Sequence, residues 1–160
     1  MKFFSALILG IFLFAISNQN AGAEPVVSKA DVLKAIKTFQ MEPTSPDGFA
    51  AATTIMAFAA KSSAVHISIS KAVIPWIKDK DATDSDTRHI LLAAYVAGNV
   101  EAQLKSGHPA DDVYSGWEQV FTTYAQLIHI NSAAKIEEVD ELREKDEHGE
   151  LRAYAAEVTK

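Results

Sequence analysis

The chain has no cysteine. That excludes disulfides, thiolate metal sites, thiol nucleophiles and thiol redox chemistry in one step. Glycine and proline are scarce, at seven and five in 160 residues, so long irregular or low-complexity stretches are not expected. Aromatic residues are also few outside the first 23 positions. Four of the eight phenylalanines lie within them, leaving Phe39, Phe49, Phe58 and Phe121 for the rest. Positive charge is in deficit, with 15 Lys and Arg against 21 Asp and Glu and a net charge of −6. An acidic chain is poorly suited to bind nucleic acid or anionic lipid through a basic patch. Beyond residue 23 the longest apolar run is the eight residues Ile90 to Ala97, far short of a membrane span.

The first 23 residues have a composition of their own. Lys2 supplies a short positive start, Phe3 to Ile16 an apolar core, and Ala21-Gly22-Ala23 a small-x-small site. This pattern is that of a secretory signal peptide, with cleavage expected beside Ala23. Removing 23 of 160 residues leaves 137, one domain's worth of chain. The leader's only charge is Lys2, so the mature chain carries −7. The expected location is periplasmic or extracellular, with no transmembrane span after cleavage. An exported domain without disulfides must hold itself by packing alone.

Alanine is abundant, with 22 copies beyond residue 23, and alanine favours helix and close helix approach. The expected fold is all-α, a single-domain bundle of five to seven helices. Residues 24–130 form the helical domain, and 131–160 a charged helical segment packed on it or extending from it. Ser28 caps a first helix to Met41, with Val32, Leu33, Ile36 and Phe39 on its apolar face. Ser45 caps a second, with Pro46 in first position, carried to about Ser62 by Phe49, Ile55, Met56 and Phe58. Val65 to Ser70, "VHISIS", alternates like a strand but has no alternating partner segment. An extended linker or distorted turn is expected there. In "KAVIPWIKD", Pro75 makes a helix start near Ile74 or kink.

Ser85 to Ser106 reads as a long helix ended by Gly107. Its apolar run marks it as packed on several sides, the centre of the bundle. Pro109 is expected to open the next helix, with Asp111 and Asp112 in its first turn, running to Ile130. Together these make a long antiparallel hairpin over about 86–130. Its arms "LLAAYVAG" and "YSGWEQVFTTYAQL" loosely resemble a tetratricopeptide-type repeat. The first helix is too long for that repeat, and no second copy follows at a period of about 34 residues. The resemblance therefore assigns no family.

Few groups carry chemistry. Asn99 and Gln103 lie four apart on one face of the long helix, and buried amides need partners. The plain reading is that Gly98 permits close packing and Asn99 bonds within the chain. The sharper one is a pocket near Asn99, Gln103 and Tyr114. Tyr114, Trp117, Phe121, Tyr124 and Ile128 form a stripe of core-like spacing, with Tyr114 and Trp117 as candidate polar contacts of a groove. His66, His89, His108, His129 and His148 show no metal-ligand spacing, so no metal and no cofactor is expected. "DKDATDSDTRHI" superficially suggests a calcium loop, but its sixth residue is Asp84 rather than glycine and its twelfth Ile90 rather than glutamate. No nucleophile elbow, phosphate loop or dinucleotide fingerprint is present, and no catalytic residue is nominated. Asp111-Asp112 and Glu137-Glu138 are adjacent and point apart on a helix. The expected function is a non-enzymatic binding or adaptor domain of the cell envelope, its partner another envelope protein. The competing reading is a small-ligand binder or enzyme with its pocket at Asn99, Gln103 and Tyr114.

Overall fold

A computed structural model describes residues 27–77 and 85–160. The leader, the cleavage site and most of the acidic "DKDATDSD" loop lie outside the described residues. Those residues form six helices: α1 Lys29–Met41, α2 Pro46–Lys61, α3 Ser85–Ser106, α4 Val113–Ile130, α5 Glu137–Glu147 and α6 Leu151–Val158. No strand occurs among the described residues.

The first two helices start where their caps dictate. The Ser28 hydroxyl accepts the Asp31 N–H at 3.1 Å, and the Asp31 carboxylate accepts the Ser28 N–H at 3.4 Å. Val32, Ala35, Ile36 and Phe39 then bury one face. The Ser45 hydroxyl accepts the Gly48 N–H at 2.9 Å, with Pro46 in the first turn. A Cβ on Gly48 would stand 2.0 Å from the Glu42 carbonyl oxygen, so only glycine lets the end of α1 rest on the start of α2. Ala51, Ile55 and Phe58 of α2 face inward. Phe49 and Met56 do not; they are 48% and 38% exposed.

Helix α3 is the centre. From Ile90 to Val100 every residue except Leu92 is buried, and α3 packs against α1, α2 and, most extensively, α4. Glycine governs the α3–α4 crossing. A Cβ on Gly98 would lie 2.4 Å from the Ser115 carbonyl oxygen, and one on Gly116 would lie 2.6 Å from the Tyr95 ring. Each helix thus offers a missing side chain where the other comes closest. Gly107, at φ +73°, ends α3 and returns its N–H to the Gln103 carbonyl at 2.9 Å.

Helix α4 begins at Val113, later than Pro109. Asp112 is its cap, accepting the Ser115 N–H at 3.0 Å, so Asp111 and Asp112 precede the first turn. Pro109 lies in the connection because both carboxylates are engaged there, one by the helix and one by the network around Asn99. Residues 71–77 also differ from expectation. They form successive turns, with Ile74 N–H on the Ser70 carbonyl and Ile77 N–H on that of Ile74, and no helix.

Helices α5 and α6 pack on each other, and α6 on α4. Trp117 of α4 stacks on Tyr154 of α6, with ring centroids 5.6 Å apart. The buried Tyr124 hydroxyl accepts the Ile136 N–H at 2.7 Å and lies 3.3 Å from the Ile136 carbonyl, anchoring the entry to α5. Arg88 reaches Glu138 at 3.6 Å. The charged segment is thereby tied to the core through Ile136, Val139, Leu142 and Leu151.

Candidate functional site

Two places require an account: the polar cluster in the hairpin and an apolar groove on the outside. The cluster grows from the spacing of α3. Tyr95, Asn99 and Gln103 follow each other at four-residue steps, so they line one face. All three are buried. The Gln103 amide accepts the His66 N–H at 2.8 Å and donates to the His66 carbonyl at 2.8 Å and to the Asn99 side-chain oxygen at 2.6 Å. Asn99 donates to the Asp111 carboxylate at 2.5 Å and the Tyr95 hydroxyl at 3.2 Å, and accepts the Asp112 N–H at 3.0 Å. The other Asp111 oxygen accepts the Ser68 N–H at 3.0 Å. Burial, followed by the negative charge of Asp111, pushes the Tyr95 hydroxyl above the ordinary tyrosine range.

Both amides therefore spend their hydrogen bonds on the chain itself. What they hold is the extended segment after α2. Gln103 binds His66 on both backbone groups, as a neighbouring strand would, and Asp111 takes Ser68. Trp117 completes the clamp by donating its indole N–H to the Val73 carbonyl at 2.7 Å. The "VHISIS" alternation is thus that of an extended segment with side chains for a partner. Val65 is buried and Ile67 half-buried against the bundle, while Ile69 is 54% exposed.

Of the four candidate residues, the structure brings Asn99 and Gln103 together and sets Trp117 at the far end of the same clamp. Tyr114 stands apart. Its ring lies beneath the Arg152 guanidinium, 3.6 Å from the centroid, on the α4–α6 side. Burial and a hydrogen bond with Glu118 raise its hydroxyl. No three His, Asp or Glu residues among those described stand close enough to hold a metal ion.

The groove lies between α1, α2 and the first half of α3, with a volume of about 480 Å³. Its walls are Phe39 of α1, Phe49, Ala52, Thr53 and Met56 of α2, and Ile90, Leu92 and Ala93 of α3, with Asp86 and His89 at its edge. Sequence reasoning places no site here, and the signal available is one of absence. From Gly48 to Ala60, α2 carries no charged residue on any face. A helix apolar all round is normally covered all round. Here α1 and α3 cover only part of it, and Phe49, Thr53, Met56 and Ala60 remain exposed at helical spacing. Among the described residues no helix is long and apolar enough to cross a membrane. Comparison with protein-family models, with curated proteins and with solved structures finds no match to this chain.

Proposed function

We propose that the chain is an exported, non-enzymatic binding or adaptor domain of the cell envelope, and that its binding face is the α1–α2–α3 groove. The observation that carries this reading is the open apolar groove in which Phe49 and Met56 stand exposed beside Leu92 and Ile90. A solvent-facing apolar cleft of this size suits inserted side chains of a partner. The leader pattern of residues 2–23 supports export. The inward-facing hydrogen bonds of Asn99 and Gln103 offer no comparable opening.

A photo-crosslinking residue at Thr53, exposed within the groove, tests the proposal in the native envelope. It is expected to capture a defined partner that the same residue at Glu141 on α5 does not. Met56→Asp is expected to abolish capture without moving the melting point, because Met56 is partly solvated. Equal capture from both positions, or none from Thr53, would overturn the reading.

A further inference from the structure

The groove's chemistry also narrows what enters it, an argument that rests on the proposed binding face. Among the described residues Asp86 is the only charged one in its lining, which holds no Lys or Arg. On α2 the first cation after Asp47 is Lys61, at the opposite end of the helix. The lining therefore carries a single negative charge, and an occupant carrying Lys or Arg beside its apolar side chains complements it. Met56 of the lining is 38% exposed, and its flexible thioether adapts to varied apolar side chains.

Backbone recognition is not on offer, since the described residues present no sheet edge for an extended peptide to join. Phe49, Thr53 and Met56 follow each other along α2 at steps of four and three residues, a spacing that matches apolar side chains one turn apart on a second helix. We infer that the groove receives the apolar face of an amphipathic helix with Lys or Arg along its flank, belonging to the partner protein.

The probe is a synthetic Leu/Lys amphipathic helix of roughly 18 residues, about five turns, titrated into the mature protein and followed by calorimetry. Two peptides of equal length control it, one Leu/Glu and one Ser/Lys in the same pattern. Saturable 1:1 binding of the Leu/Lys peptide alone is expected. Asp86→Lys is expected to weaken it roughly tenfold, as is Met56→Asp. Glu141→Lys with Glu144→Lys, equally acidic sites on α5, is expected to leave it unchanged. Equal binding of the Ser/Lys peptide, or equal weakening by the α5 variant, would reduce the effect to general charge and overturn the inference. Tighter binding of the Leu/Glu peptide would reverse the stated chemistry. Self-association of the protein, lost on Met56→Asp, would make the occupant a second copy and refute the inference as well. Failure of the peptide while Thr53 still captures a native partner would sink this inference and leave the binding face standing.

Discussion

Replacing Gln103 with Leu tests the clamp directly. The substitution keeps most of the side-chain volume, so the packing change is small. It removes three hydrogen bonds: two to the His66 backbone and one to Asn99. The Asn99 oxygen keeps the Asp112 N–H as donor, so its loss is the mildest. Each bond contributes about 1 kcal/mol net, and the two at His66 leave backbone groups unpaired at a partly buried site. The expected loss is about 2–3 kcal/mol, a fall in melting temperature of about 10 °C for a domain of this size. Urea unfolding followed by tryptophan fluorescence reads it well, because Trp76 lies within the turns after the clamped segment and Trp117 holds Val73. Hydrogen exchange adds a local signature: the His66 and Ser68 amides should lose protection before α3 does. His66→Ala is the control, since the bonds use only the His66 backbone and its side chain is exposed; it should cost less than about 0.5 kcal/mol. A Gln103→Leu protein with unchanged stability and a protected His66 amide would refute the clamp.

Gly98→Ala should destabilise by about 1–3 kcal/mol in thermal melts, because its Cβ would meet the α4 backbone and the helices must separate; a neutral result would mean the crossing is looser than described. Leu91→Ala, fully buried, should cost about 2–5 kcal/mol in denaturant titrations. Leu92→Ala, on the groove wall, should cost clearly less, and equal losses would contradict the groove. Stability should fall as pH rises above 10.0, the ordinary tyrosine value. The folded-state Tyr95 pKa is raised, so the unfolded chain loses that proton first, and the stabilisation is whole below 10.0 and lost above it. Tyr95→Phe should flatten that alkaline decline in urea midpoints measured across pH, and an unchanged slope would contradict the assignment.

Local chemistry made much of this fold legible. Ser28 with Asp31, and Ser45 with Pro46, mark the starts of α1 and α2 because capping is settled within four residues. The eight-residue apolar run places α3 at the centre because no other arrangement buries a helix on so many sides. The same reasoning faltered at Pro109, where proline's preference for a first turn lost to the capping carboxylate of Asp112. Nor does the apolar run separate Leu91, which is fully buried, from Leu92, which is half-buried on the groove wall. A run without polar residues carries no period from which to tell its inner face from its groove face.

The Asn99–Gln103 pair shows where such reasoning ends. Four-residue spacing shows that the two amides share a face, and burial shows that they need partners. It does not name the partners. Gln103 finds them at His66, 37 residues away, in a segment whose own alternation suggested a strand. The two puzzles have one solution, because an extended segment without a neighbouring strand must satisfy its backbone elsewhere, and buried amides must find donors and acceptors. Each supplies what the other lacks. The groove is the opposite case. The charge-free stretch of α2 is visible in the sequence, yet charge-free helices are ordinarily interior. Only the positions of α1 and α3 show that Phe49 and Met56 are left in solvent. Site-finding from polar residues alone was therefore drawn to the clamp, where the chemistry is already satisfied within the chain, and away from the surface where apolar contacts are still unmade.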